Sequence, residues 1–118
     1  MFVVCHFKDT EEKFILYDKN DLKEITQHMN IEIDKELSFD ELKNEYASFP
    51  LIYTNDMILR GMNKKARTNT HVLDELNLSN FNALEREYNK VLNKKSYLSK
   101  SQRDIVVEQY NIIQECNG

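Results

Sequence analysis

Phe2-Val-Val-Cys-His-Phe7 is followed, after five polar residues, by Lys13-Phe-Ile-Leu-Tyr17. Both runs are rich in β-branched and aromatic residues. Both are apolar at adjacent as well as alternate positions, the pattern of strands covered on two faces. The link Lys8-Asp9-Thr10-Glu11-Glu12 has hairpin length although it lacks glycine. The chain is therefore predicted to open with an antiparallel β-hairpin. A lone hairpin is marginal in water, so a third strand or a helix must cover it. Leu51-Ile52-Tyr53-Thr54, just after Phe49-Pro50, is the candidate third strand, and Ile31-Glu32-Ile33 is a weaker one.

Helical signals fill the remainder. Asn20 is predicted to cap a helix over residues 21–29, with Leu22, Ile25 and Met29 on one face. Ser38-Phe39-Asp40-Glu41 matches a capping box and opens a helix to about Ser48, which Pro50 ends. Phe39, Leu42 and Tyr46 form its apolar stripe. A short helix over 56–62 is weakened by Gly61, and Thr70 is expected to cap residues 71–77. Ser79 is expected to cap a helix over 80–93, where Phe81, Leu84, Tyr88, Val91 and Leu92 recur at helical spacing. Ser99-Lys100-Ser101-Gln102 is a second capping box and opens a helix to about Glu115. The connector Lys94–Leu98 is short, so the last two helices should pack as a helical hairpin. No repeat, low-complexity segment or linker divides the chain. The expectation is an α+β fold in a single domain, residues 1–118: an N-terminal hairpin, a possible third strand and a mainly helical remainder.

Composition agrees with that architecture. The chain has 118 residues and is 41% hydrophobic and 31% charged, which is globular composition. Two Gly and one Pro are too few for the many tight turns of an all-β sandwich or barrel. Two cysteines make no disulfide framework and no Cys-x-x-Cys pair. Cys5 reads as a core residue, and Cys116 as an exposed thiol near the end. The N-terminal apolar run lacks a basic flank and is short for a signal peptide, and no stretch reaches the ~18 apolar residues of a membrane helix. The expectation is a soluble protein of the cytoplasm with no membrane partner.

Catalytic signatures are sparse. With two glycines there is no Gly-rich loop to cradle a nucleotide phosphate, so no cofactor is expected. His6, His28 and His71 show no metal-ligand spacing, and Cys5 and His6 must point to opposite faces of a strand. Asp34-Lys35-Glu36 lacks the Gly and Glu of a calcium loop. A nucleophile–base pair of Cys5 with His28 or His71 is the one enzymatic alternative, because such pairs form in space rather than in sequence.

Charge carries more information. The net charge is −4, but residues 1–59 hold six Lys against thirteen Asp and Glu, while the rest hold ten Lys and Arg against seven acids. The halves thus carry −7 and +3. Such asymmetry bears on partners, not on fold. Glu11, Glu12, Glu36, Asp40 and Glu41 are the candidate partner-binding acidic face, a mimic of a nucleic-acid backbone; otherwise they are solvated surface. Arg60, Lys64, Lys65 and Arg67 form one basic tract, and Lys94, Lys95, Lys100 and Arg103 belong to a second. Interleaved Asn, Ser and Tyr residues would suit phosphate contacts, with charge supplying affinity and short donors supplying register. The alternative for the second tract is a solvated connector complementing a helix end.

The richness in Asn, Lys, Ile and Tyr looks like a chain from an AT-rich genome, similar in style to accessory proteins of phages and mobile elements. The leading expectation is a non-enzymatic protein-binding inhibitor or accessory protein that occludes a host nucleic-acid-handling complex. Its sharpest form is an anti-CRISPR-type inhibitor. The rival is a DNA- or RNA-binding regulator that uses the basic C-terminal half.

Overall fold

The computed structural model describes residues 1–117. A four-stranded mixed sheet in the order β3-β1-β2-β4 lies between two unequal layers of helices. β1 (Phe2–Phe7) and β2 (Lys13–Tyr17) form the expected antiparallel hairpin, with Phe2 opposite Tyr17 and His6 opposite Lys13. β4 (Leu51–Tyr53) adds to β2 in parallel, and β3 (Ile31–Leu37) adds to β1 antiparallel. β3 runs seven residues, well past the weak Ile31–Ile33 signal. The α+β class and the helical C-terminal end hold.

A β-bulge in β3 reconciles its sequence with both faces of the sheet. Val4 faces Lys35 and Cys5 faces Ile33, which leaves Asp34 as the extra residue. Ile31, Ile33 and Leu37 would share one face of a regular strand, because side chains alternate with period two. The bulge moves Ile31 and Ile33 to the opposite face from Leu37.

The two faces are covered differently. One packs Phe2, Val4, Ile15, Tyr17, Leu37 and Leu51 against α2 (Phe39–Glu45), α4 (Asn69–Glu75), α5 (Phe81–Leu92) and α6 (Lys100–Cys116). Tyr17 crosses this core and donates to Gln109 Oε1 at 2.7 Å, and burial pushes its hydroxyl well above the usual tyrosine range. Helices α5 and α6 form the expected hairpin, with Tyr88 stacked on Tyr110 at 3.9 Å between ring centroids. The other face packs Val3, Cys5, Phe14, Leu16, Ile31 and Ile33 under a lighter cover. That cover is α1 (Leu22–Ile25), the 3₁₀ turn Thr26–His28 and α3 (Thr54–Met62).

Several boundaries differ from the sequence reading. Asp21, not Asn20, caps α1, which breaks after one turn as Thr26 Oγ1 donates to Leu22 O. The Ser38 and Ser99 capping boxes form as expected, although α2 ends at Glu45. Thr68, not Thr70, caps α4, and it does so with His71, whose Nδ1 accepts from Thr68 N at 3.1 Å. Thr70 is instead bonded to Asp56. Asn80, not Ser79, caps α5; Ser79 O accepts from Leu51 N, so this residue serves the end of β4. Cys116 is buried against the helical core rather than exposed.

Candidate docking groove

Helix α3 buries polar side chains near its start and leaves apolar ones exposed further along. Its buried residues are Thr54 and Asp56, while Ile58, Leu59 and Met62 are 38%, 44% and 80% exposed. The buried polar pair is fully bonded. Thr54 Oγ1 donates to Tyr17 O at 2.9 Å, and Asp56 Oδ2 accepts from Thr70 N at 2.9 Å and Thr70 Oγ1 at 2.7 Å. A buried carboxylate without partners would be costly, and these donors hold it in place. Thr54 and Asp56 anchor the first turn and Met57 packs against the second core, while Ile58, Leu59 and Met62 further along the helix stay exposed.

Between α3 and the α1–3₁₀ segment lies a groove of about 440 Å³ lined by Phe7, Ile25, Met29, Ile31, Met57, Ile58 and Met62, with His28 and Asn30 at its edge. A second groove of about 530 Å³ adjoins it on the other side of α3, lined by Ile52, Arg60, Lys64 and His71. Phe7, Met57 and Gly61 line both. No carboxylate lines either one. Three of the four methionines of the chain are here, and methionine's flexible, polarisable side chain suits adaptable binding surfaces. A 550 Å³ depression beside β3 is of mixed character, with Lys8, Lys23, Gln27 and Glu32 around Ile31 and Ile33.

The first basic tract lies in part along the second groove. Arg60 and Lys64 line that one, and neither they nor Lys65 has a carboxylate within 4 Å among the described residues. Arg67 is taken: its guanidinium meets Glu75 in a two-pronged pair at 3.0 and 2.6 Å, which holds the Glu75 carboxyl below its usual range. The second tract lies on the α5–α6 connector. Lys94 adopts a left-handed conformation (φ 57°), Lys95 N donates to Lys90 O, and Arg103 Nη1 donates to Leu98 O. Lys94 and Arg103 flank a 280 Å³ hollow, while Lys94, Lys95 and Lys100 have no carboxylate within 4 Å among the described residues. Tyr97, between them, is fully exposed.

The acidic residues do not converge. Glu11 and Glu12 sit in the β1–β2 turn, beyond Phe7. Glu36 pairs with Val3 near the other end of the sheet, next to Asp40 and Glu41. The four residues from Val3 to Phe7 alone separate the two groups by ~13 Å at strand rise. Glu41 is also engaged: it accepts from Lys35 Nζ at 2.6 Å and from Ser38 N at 3.2 Å, which holds its carboxyl below the ordinary range.

The cysteines and histidines are spread over the fold. Burial pushes the Cys5 thiol up to about 12, with the Asp34 charge adding to the rise, and Cys5 Sγ donates weakly to Phe14 O. His6 sits between Asp34, at 2.9 Å, and Glu32, at 3.5 Å, and this contact lowers the Asp34 carboxyl below its usual value. His71 is bonded to Thr68, and His28 is exposed at the end of the 3₁₀ turn. Among the described residues no three His, Cys, Asp or Glu side chains gather where they could hold a metal ion, and no helix is long and apolar enough to cross a membrane.

Sequence reasoning missed the groove residues Phe7, Met29, Met57, Ile58, Gly61 and Met62 as a site. A signal was present. Met57, Ile58, Leu59 and Met62 spread around more than one side of a nine-residue helix, so burying one face had to leave others exposed. No family model, no curated protein and no solved structure matches this chain.

Proposed function

We propose that the protein is a non-enzymatic binding protein that acts by occluding a partner protein, and that it docks through the groove between α3 and the 3₁₀ turn. The observation that supports this reading most is the exposure of Ile58 and Met62 beside the groove, on a helix whose fully buried residues are the polar Thr54 and Asp56. Holding apolar side chains outward exposes surface that water disfavours, and a docked partner removes that exposure. Interface cores draw on such residues, with cations left at the rim. Arg60 and Lys64 stand where a rim is expected. An inhibitor of a host nucleic-acid-handling complex in the cytoplasm is the specific form of the proposal, and two free buried thiols suit that reducing compartment.

The test is a photo-crosslinking residue placed at position 58 in a lysate of a low-GC bacterium. The reading expects a discrete adduct that survives nuclease, is destroyed by protease and disappears when Met62→Glu is added. Met62 is mostly exposed, so that change leaves the fold intact. Absence of an adduct at position 58 contradicts the reading.

A second reading has its own support. Tyr97 stands fully exposed among Lys94, Lys95 and Lys100 on a connector braced by Ser96, whose Oγ donates to Glu87 at 3.0 Å and accepts from Leu98 N. An outward aromatic ring beside unpaired cations is a platform on which single-stranded nucleic acid stacks. A nuclease-sensitive adduct from position 97, with none from position 58, favours this reading over the first.

A further inference from the structure

We propose that the occupant of the groove is an acidic amphipathic helix of the partner, lying along α3 with its closest approach at Gly61. The proposal rests on the docking reading above and adds the chemistry of what docks. Gly61 carries the argument. It is the penultimate residue of α3, in the last helical turn, where glycine is a poorer helix former than alanine. Its φ is not in the left-handed region, so no cap or turn requires it. A Cβ built on it meets nothing within 4 Å, so no neighbour in this chain requires it either. The fold accounts for every reason glycine is ordinarily needed except one: close approach of a backbone from outside. Gly61 lines both grooves, where a docked segment would pass.

The shape favours a helix. Met57 and Gly61 are one turn apart on α3, as are Ile58 and Met62, so they offer a ridge and a notch at helical spacing. Strand addition is the competing mode, and the free edge of the sheet at β3 opposes it with Glu32, Lys35 and Glu36. The charge favours acid. Arg60 and Lys64 line the adjoining groove without carboxylate partners, within reach of a helix laid along α3, and among the described residues no Asp or Glu lines either groove. The protein carries −4 overall, but charges beyond a Debye length of ~10 Å at 0.1 M salt are largely screened, so the local rim dominates.

The experiment is fluorescence anisotropy with three labelled peptides of ~18 residues, long enough for about five helical turns. One is an amphipathic Leu/Glu helix, one its Leu/Lys counterpart, and one a scrambled Leu/Glu sequence. The Leu/Glu helix should bind at least ~10-fold more tightly than either control, and Arg60→Glu with Lys64→Glu should remove at least ~10-fold of that affinity. Gly61→Ala should raise the melting temperature by ~2–6 °C while weakening the peptide at least ~3-fold, and Gly61→Leu should abolish binding. Opposite signs for stability and affinity are what a merely structural glycine would not give. Equal or tighter binding of a control peptide, no binding of any peptide, or unchanged affinity in Gly61→Ala overturns the proposal. So does self-association by sedimentation that Met62→Glu abolishes, since the occupant is then a second copy. If the peptides fail while the crosslink at position 58 persists, the acidic helix falls and docking stands; if both fail, both fall.

Discussion

Cys5 and Cys116 differ in how well the sequence exposes their roles. Cys5 lies in an apolar run and reads as core; Cys116 lies beside charged Glu115 and polar Asn117 and reads as surface, yet the α6 register turns it inward. Burial raises both thiols, Cys5 to about 12. A thiolate is the reactive form, so both should react slowly in the folded protein. We expect alkylation by iodoacetamide at pH 8 to be at least ~100-fold slower in buffer than in urea for both cysteines. Rapid native alkylation of Cys5 would revive a nucleophilic role. Asp34 supplies a pH test. Its carboxyl is held below the ordinary aspartate range, chiefly by the hydrogen bond from His6. A lowered carboxylate contributes stability that is present above its unfolded value and lost as pH falls through the folded one. Wild type should therefore melt above Asp34→Asn at neutral pH, and the gap should narrow from about pH 5 downward. A gap that widens in acid would contradict the pairing.

At the scale of elements, β3 and α3 are where the sequence was least legible, for opposite reasons. The hairpin was plain because Phe2–Phe7 and Lys13–Tyr17 are buried on both faces and read as continuous apolar runs. β3 is an edge strand with exposed Glu32, Asp34, Lys35 and Glu36, and its bulge breaks the period that would reveal it. The three shifted caps failed for a related reason: neighbouring Ser, Thr, Asn and Asp residues are all competent caps, and tertiary bonds such as Thr70 to Asp56 decide among them. The bulge makes an unusual prediction. Deleting Asp34 removes the extra residue and leaves Ile31, Ile33 and Leu37 on their present faces. Deleting Glu32 turns Ile31 out of its core, a loss of ~2–4 kcal/mol by analogy with large-to-small core changes. Chemical denaturation should find the first deletion close to Asp34→Asn in stability and the second far below it. Equal costs would mean that the bulge does not set the register.

For the whole molecule, the sheet has a thick cover on one side and a thin one on the other. Four helices, including the α5–α6 hairpin, close the first core; a broken turn of helix and the short α3 close the second and leave a groove. The α+β class followed from local patterns because hairpin and helical hairpin are both local structures. The groove did not, because it depends on how α3 is anchored beside the sheet, and Thr54 and Asp56 are held by partners 37 and 14 residues away. The expected acidic face divides for the same reason: chain neighbours in charge are not neighbours on the sheet. The central claim is that this groove is where a partner docks. The four methionines allow it to be read directly, since Met29, Met57 and Met62 line the groove and Met1 does not. In a protein labelled with ¹³C at the methionine methyl groups, titration with the Leu/Glu helix should shift the signals of Met57 and Met62 most, Met29 less, and leave Met1 in place. Binding that leaves the three groove methyls still, or that moves Met1 instead, would contradict the claim.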